Sequence, residues 1–582
     1  MSRRPPAPRE LARNVRLVTS FGARALLDDP VWLLIQAARR SSPTVRAAAV
    51  RVLGLAASPS APRALAPLLA GDSPGAAREA SRLLESSGGR SRIGSEVAVA
   101  VGRPDLLDGI ASPGPAGLRA HWARGDVTAL RATHATGRAE RRVLRNLLGQ
   151  VGALETRPRV RPPGPAPVSP TAQLTVLHHL TNSLPHTQSG YTLRSHAILT
   201  AQQGSGVRVE ATTRPGYPVT IGTLGARGVD VVDGITYRRL IPRRLANDPA
   251  RRFADATDLL VRCAERLGPD LLHTTTPGIS TGEVTRAAAL RLGLPWVYEV
   301  RGLPEETWVA SHATPAARAT AERSERRTLL RAKETELAIS ADAVVTLSAT
   351  LRDELVSRGV PPERITVVPN AVSSSLLSEH PEPAAARASL GLPEASFVVG
   401  SVSSLVGYEG HATILRTVAL LRRRGLDVSA LIVGDGVCRP DLVRLADDLD
   451  LGRSAVLPGR VPREQAPRYT AALDVLLVPR RADRVTRLVT PLKPVEAMAI
   501  GRPVVASDLP ALAEVLDAPR GGLLVDPDDV AGWADAVEAL HDDHALYRRL
   551  VATGRSVARE RTWERAADTY DRVYRTFRGG SA

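Results

Sequence analysis

From Gln173 onward two patterns alternate along the chain. Short unbroken apolar runs end in glycine, asparagine or polar turns, and between them lie longer stretches in which apolar residues recur every three or four positions. The runs read as strands buried on both faces and the stretches as helices, which together describe parallel sheets layered by helices. The strand segments are "QLTVLHHLTNS", "VRVEATTR", a pair within "GVDVVDGITYRRL", "LGPDLLHTTTPGIS", "RLGLPWVYEVRG" and the two ends of "ADAVVTLSATLRDELVSRGVPPERITVVPNAV". The pattern then restarts with "SFVVGSVSSL", "VSALIVGDG", "AVLPGRV", "LDVLLVPRR", "RPVVAS" and "GGLLVDPDD". Two Rossmann-like α/β units in tandem are therefore expected, split near Pro381–Glu394. The stretch "TWERAADTYDRVYRTF" at Thr562–Phe577 reads as one amphipathic closing helix.

The region before Gln173 has helical periodicity only. "SSPTVRAAAVRVLGLAAS" at Ser41–Ser58 is echoed by "GDSPGAAREASRLLESSG" at Gly71–Gly88, with Pro43 and Pro74 in equivalent places, each after a serine suited to cap a helix. Ala61–Leu69 forms a short helix between them. The unit resembles short HEAT-like repeats, with Val45, Arg46, Ala48, Val50 and Leu53 at the matching places; an irregular helical bundle is the alternative reading. Residues 1–10, polar and proline-rich, read as disordered. "ETRPRVRPPGPAPVSP" at Glu155–Pro170 reads as an extended, semi-rigid linker that isolates the helices from the α/β units. The expected organisation is an all-α domain over 1–154, a linker over 155–171, α/β domains over 172–380 and 381–560, and the closing helix over 561–582.

Composition narrows the function classes. Hydrophobic residues make up 43% of the 582 residues but aromatics only 3%, so the cores are built from Ala, Leu and Val. Cys263 and Cys438 are the only cysteines, which argues against a disulfide framework or a cysteine metal site and fits a reducing compartment. The first thirty residues lack a signal-peptide layout and no apolar run has transmembrane length, so a cytoplasmic location is expected. The net charge of +17 suits an anionic membrane surface, anionic small substrates or nucleic acid, or reflects a plain arginine bias. No zinc finger, RNA-binding aromatic signature or basic arm is present, so no nucleic-acid partner is expected. "HDDH" at His541–His544 and "DDLD" at Asp447–Asp450 read as polar helix boundaries, and no metal is expected to be required.

The segment "TPLKPVEAMAIGRPVVASD" at Thr490–Asp508 carries the first chemical hint. Pro491 or Pro494 suits a first helical turn, Gly501 with Pro503 ends the helix, and Glu496 favours the helix dipole. Together with "ADAVVTLSATLRDEL", "ERITVVPNAV", "LIVGDG", "LPGRVP" and "WERAADTYDRVY", this segment resembles glycosyltransferase family 4 and its two-domain GT-B fold, over Leu174–Phe577. The resemblance implies a retaining enzyme that moves a sugar from a nucleoside diphosphate sugar to a glycan or lipid-linked acceptor in envelope polysaccharide synthesis, and the basic surface would suit work at the inner face of the plasma membrane. It implies that Glu496 accepts the ribose hydroxyls, and that Thr490, Leu492 and Lys493 lie under the diphosphate. Gly459 and Val461 would hold the base, and Gly434 would let the backbone approach the ligand. Gly190 would lie near the phosphates, His273 would touch the transferred sugar, and Glu299 and Arg301 would face the same cleft. The chain departs from the family pattern at Leu488, where a second glutamate is usual, and at Ser404 and Glu409, where phosphate-binding cations are usual. Arg480 and Lys493 are expected to replace those cations. The alternative is a catalytically degenerate nucleotide-binding scaffold.

Overall fold

The structure is a computed structural model that describes residues 5–39, 43–110, 114–156, 173–392 and 397–578. Buried apolar runs become strands throughout. The first sheet contains β1 (Thr175–Leu180), β2 (Arg208–Thr213), β3 (Val229–Val232), β4 (Ile235–Arg239), β5 (Leu271–Thr275), β6 (Trp296–Val300), β7 (Ala343–Thr346) and β8 (Ile365–Val367). Its order is β3-β4-β2-β1-β5-β6-β7-β8, parallel except for the β3–β4 hairpin. The second contains β9 (Phe397–Val402), β10 (Val428–Val433), β11 (Ala455–Gly459), β12 (Val475–Val478), β13 (Val504–Ser507) and β14 (Leu523–Val525), in the order β11-β10-β9-β12-β13-β14. In each sheet the winding reverses beside the first strand, at β1 and at β9. Open α/β sheets bind ligands outside the carboxyl ends of the strands at such switch points.

The chain crosses between the two α/β domains twice, and the crossings are stitched together: Val372 N–H donates to the Arg561 carbonyl (2.9 Å) and Trp563 N–H to the Val372 carbonyl (3.1 Å). The second crossing returns the closing helix Trp563–Arg575 to the first domain. There Trp563, Ala566, Tyr570, Val573 and Tyr574 join Val176, Ile198, Leu199 and Val297 in one core. The domains also meet at Glu514, whose carboxylate accepts N–H groups of Ala349 (2.5 Å) and Thr350 (2.9 Å) at the start of the helix Ala349–Ser357.

The N-terminal region folds into helices between Pro8 and Glu155. Ser60 caps the helix Ala61–Ala70. The next helix, Ser73–Ser86, is capped by Asp72, whose side chain accepts the Gly75 N–H, so Ser73 before Pro74 is a helical residue and not the expected cap. The serines before Pro43 lie outside the described residues.

Two expectations are corrected here. The helix Pro8–Asp28 begins inside the segment read as disordered, and Glu10 on it accepts the Gly228 N–H at 2.6 Å. The helices are also not isolated. Leu17 packs with Val219, Ala226 and Ile241, and Asn14 Nδ2 donates to the carbonyls of Leu224 (2.9 Å) and Ala226 (2.7 Å). Leu118, Val127, Leu130 and Leu147 pack with Leu329. Arg326 is held between Trp122 (4.1 Å) and Trp308 (4.6 Å). Apolar side chains of the helices are thus buried on the first α/β domain, where removal from water favours the contact. Residues 157–171 of the expected linker lie outside the described residues.

Candidate functional site

Two helix starts border one cavity of about 1120 Å³ between the α/β domains. On the first domain Ser189 is extended and caps the helix Gly190–Gly204: its hydroxyl accepts the Thr192 N–H (3.4 Å) while Thr192 Oγ1 accepts the Ser189 N–H (2.8 Å). Gly190 and Tyr191 follow on the cavity wall. On the second domain the helix Lys493–Ile500 starts after Leu492, with Pro494 in its first turn, where a missing N–H costs nothing. It ends at Gly501, whose φ of 88° lies in the left-handed region glycine tolerates. A helix N-terminus presents free N–H groups and the positive end of its dipole, and two facing one space suit an anion.

The first-domain wall rests on a buried polar cluster. Glu299 Oε1 accepts from Arg194 Nη2 (3.0 Å), Arg194 Nε (3.2 Å) and the Tyr570 hydroxyl (2.7 Å), and Oε2 accepts from Arg301 Nη2 (2.6 Å). Burial would raise the Glu299 carboxyl, but the guanidinium groups of Arg301 and Arg194 outweigh it and hold it well below the carboxylate range. His273 Nδ1 lies 2.6 Å from the Tyr574 hydroxyl, and His273 Nε2 lies 3.3 Å from Glu299 Oε2. Burial outweighs the opposing pull of Glu299 and lowers the His273 pKa, which favours the neutral ring.

This arrangement corrects the placement of two expected catalytic groups. His273 sits inside β5 and not at its end, is 0% exposed, and lies under Tyr570 and Tyr574 of the closing helix. Glu299 is also 0% exposed. Neither borders the cavity, so neither touches a ligand in it. Arg301 does border it, and its Nε has no hydrogen-bond partner among the described residues. Glu299 positions Arg301 and Arg194, whose two charges exceed its single charge, and His273 lies against the same carboxylate.

On the second-domain wall the expected phosphate cations both carry carboxylate partners. Arg480 forms a fork on Glu409, with Nη2–Oε1 at 2.6 Å and Nε–Oε2 at 3.2 Å, and its Nη1 donates to the Val489 carbonyl at 2.9 Å. Lys493 Nζ lies 2.7 Å from Glu496 Oε2. All four residues border the cavity, as do Thr490, Leu492 and Val461. Thr490 is tied to the first domain: Asn370 Nδ2 donates to its carbonyl (3.0 Å), and Asn370 Oδ1 accepts from Arg194 Nη1 (3.0 Å). Leu488 packs on the first domain's core and does not border the cavity.

Gly434 borders the cavity, but the reason for glycine there differs from the expected approach to a ligand. Its φ is +146° and a Cβ would meet the Ser403 carbonyl oxygen at 1.8 Å. Gly459 does not border the cavity; its carbonyl accepts the Gly434 N–H at 2.9 Å. Beside it Arg460 and Arg463 reach the wall, with no ion pair among the described residues.

Several residues of this site escaped the sequence reading. Arg194 stands one helical turn after Gly190, inside an otherwise buried helix face, which was a usable signal. Tyr570 and Tyr574, two of nine tyrosines, are spaced i, i+4 on the closing helix. Asn370 gave no local signal. In "HDDH", Asp543 accepts the N–H groups of Ala545 and Leu546 and starts the helix His544–Arg559.

Comparisons with known proteins agree with this architecture. The family described as glycosyl transferases group 1 matches residues 396–543, and the glycosyl transferase 4-like domain matches residues 189–371. D-inositol 3-phosphate glycosyltransferase 1 of Catenulispora acidiphila is 31% identical over 255 residues, covering 42% of this chain and 60% of that protein. 2-Deoxystreptamine glucosyltransferase of Streptomyces kanamyceticus is 32% identical over 193 residues, covering 33% of this chain and 49% of that protein. The chain thus spans 49–60% of the length of these two relatives. Among solved structures, sucrose-phosphate synthase from Thermosynechococcus elongatus superposes with a TM-score of 0.56 at 21% identity, covering 69% of this chain and 99% of that one. Anabaena HepE in complex with UDP and glucose superposes with a TM-score of 0.54 at 18% identity, covering 69% and 100%.

Proposed function

The chain belongs to the glycosyltransferases of GT-B fold that resemble family 4, and from that premise we propose that it transfers a sugar from a nucleoside diphosphate sugar, with retention at the anomeric carbon, to a polyhydroxylated acceptor. One observation carries the reading: two helix starts, Arg301, Arg480 and Lys493 converge on a single cleft that also presents the Glu496 carboxylate. A diphosphate fits between the helix starts, and a carboxylate one turn into the second helix accepts two hydroxyl donors of a ribose. In this reading Thr490, Leu492 and Lys493 lie under the diphosphate and Val461 lies beside the base. Catalysis consists of holding donor and acceptor in line and stabilising charge on the leaving phosphate. The positive groups of this chain do that work, and the reading requires no metal ion.

The acceptor is a glycan or a lipid-linked sugar of the cell envelope, met at the cytoplasmic face of an anionic membrane. The net charge of +17 supports the membrane part of that reading. A second reading is a small soluble cyclitol, favoured by the inositol phosphate and deoxystreptamine in the relatives' names. A degenerate scaffold is the third reading.

The test is a thermal-shift screen with UDP, GDP and ADP and their sugars, followed by transfer assays on cyclitol and lipid-linked acceptors. The right nucleotide raises the melting temperature by mass action. Glu496→Ala is expected to weaken binding of that nucleotide at least about tenfold by calorimetry, with the fold intact, because the helix loses only about 0.3–1 kcal/mol of dipole interaction. Unchanged affinity sinks the ribose assignment. Binding without turnover of any donor favours the scaffold.

A further inference from the structure

We propose that Glu409 is a specificity-determining residue of the cleft: by holding Arg480 it weakens the grip on free diphosphate, so that the spent nucleotide leaves. The inference rests on the donor reading above for the identity of the nucleotide, but its core concerns only Arg480 and anions.

The pair is fixed by the backbone and not by chance side-chain contact. Glu409 ends the short helical turn Gly407–Glu409, and Gly410 follows with φ +71°. A Cβ at Gly410 would meet the Pro479 carbonyl oxygen at 1.8 Å, so the turn is pressed onto the end of β12. The Arg481 N–H donates to the Tyr408 carbonyl at 3.0 Å and stitches the same two segments. Carboxylate and guanidinium are therefore delivered to one point. Arg480 is 8% exposed, so water screens the pair weakly. Arg480 Nη1 also reaches the Val489 carbonyl, directly before the loop that starts the helix Lys493–Ile500.

A phosphate at that helix start meets Arg480 with its fork already occupied by a carboxylate. Phosphate and carboxylate seek the same planar donor pair, so they compete for it. The Glu409 charge also repels the anion. The penalty is not the same for both forms of the nucleotide. When the sugar leaves, the terminal phosphate gains a negative charge that the donor did not carry. Glu409 thus disfavours the free diphosphate more than the sugar-bearing donor.

The experiment compares wild type, Glu409→Gln and Glu409→Gln/Arg480→Gln by calorimetry, first with inorganic pyrophosphate and then with UDP, GDP and ADP. Glutamine keeps a hydrogen-bond acceptor for Arg480 and removes the charge; Glu409→Ala is read in the same way if the glutamine variant does not fold. Pyrophosphate is expected to bind Glu409→Gln about tenfold or more tightly than wild type, the scale of one charge-assisted hydrogen bond, and the double variant should lose the gain. Equal or weaker binding by Glu409→Gln, or no detectable binding by either protein, overturns the proposal. A gain that survives in the double variant overturns it too, because Arg480 is then not the group released. If pyrophosphate behaves as expected but no nucleoside diphosphate binds better than pyrophosphate, the nucleotide reading fails and the assignment of Glu409 stands.

Discussion

Glu299 shows what single residues do here. It is the shared counter-charge of Arg194 and Arg301, with Tyr570 on the same carboxylate. Glu299→Gln leaves two guanidinium groups buried without that charge, and breaking a buried pair by removing one partner costs about 3–5 kcal/mol. Denaturant unfolding should show a loss of that order, well above the loss in Glu496→Ala. A loss under about 1 kcal/mol would mean that water reaches the cluster. His411 gives a pH-dependent counterpart. Its Nε2 lies 2.8 Å from Ser403 Oγ, it is 3% exposed, and burial lowers its pKa to about 4. The unfolded histidine takes its proton near 6.5, so between about 6.5 and 4 the unfolded state binds more protons. The stability that this group contributes is complete above about 6.5 and is lost as pH falls through that window. His411→Asn should flatten the fall of the unfolding free energy between those two pH values, measured by urea titration at stepped pH. An unchanged slope would show that His411 is not desolvated.

The closing helix Trp563–Arg575 decides more of the site than any strand does. It seals the polar cluster with two phenols: Tyr574 accepts from Gln202 Nε2 (2.8 Å) and meets His273, and Tyr570 donates to Glu299. Tyr574→Phe removes the partner of His273 Nδ1 and of Gln202 Nε2, at about 1–3 kcal/mol. A lower melting temperature with unchanged nucleotide affinity is the expected result, because neither tyrosine borders the cavity. An affinity loss equal to that of Glu496→Ala would place the cluster in contact with ligand. The same helix explains where the sequence was readable. β1 and β5 were legible because strands covered on both faces read as unbroken apolar runs. The helix itself was legible from its period. That it would cover His273 was not, since Tyr574 stands 301 residues away and a strand histidine looks alike whether it faces a cleft or a helix. The Glu409–Arg480 pair, 71 residues apart, was hidden for the same reason. The family resemblance put both residues at the expected phosphate site, but pairing depends on two loops meeting.

At the scale of the whole molecule the N-terminal helices belong to the body of the protein, and this yields the strongest test. The helices bury Leu17 against Val219, Ala226 and Ile241, and Leu118, Leu130 and Leu147 against Leu329. Each large apolar side chain contributes about 1.5–3 kcal/mol when fully buried, so even partial burial at these two contacts sums to several kcal/mol. The Trp122–Arg326–Trp308 stack adds to it, since the guanidinium lies 4.1 Å and 4.6 Å from the two indole rings. By contrast, the reach to the second domain is slight: Asp72 lies 3.6 Å from Arg444, and both side chains are partly exposed. A pair of that kind is worth about 0–1 kcal/mol, so Arg444→Ala should leave the melting temperature unchanged within error. Deleting residues 1–156 removes the large contacts at once. It exposes Val219, Ile241, Leu329 and Trp308 together on one domain, and exposed apolar surface of that extent drives association. The truncated chain is expected to elute as aggregate on size exclusion, and any monomer to melt at least about 5 °C below the full chain. A monodisperse truncated chain with the melting temperature of the intact protein would show that the helices only rest on the first domain, and the expectation of a separable module would then be restored.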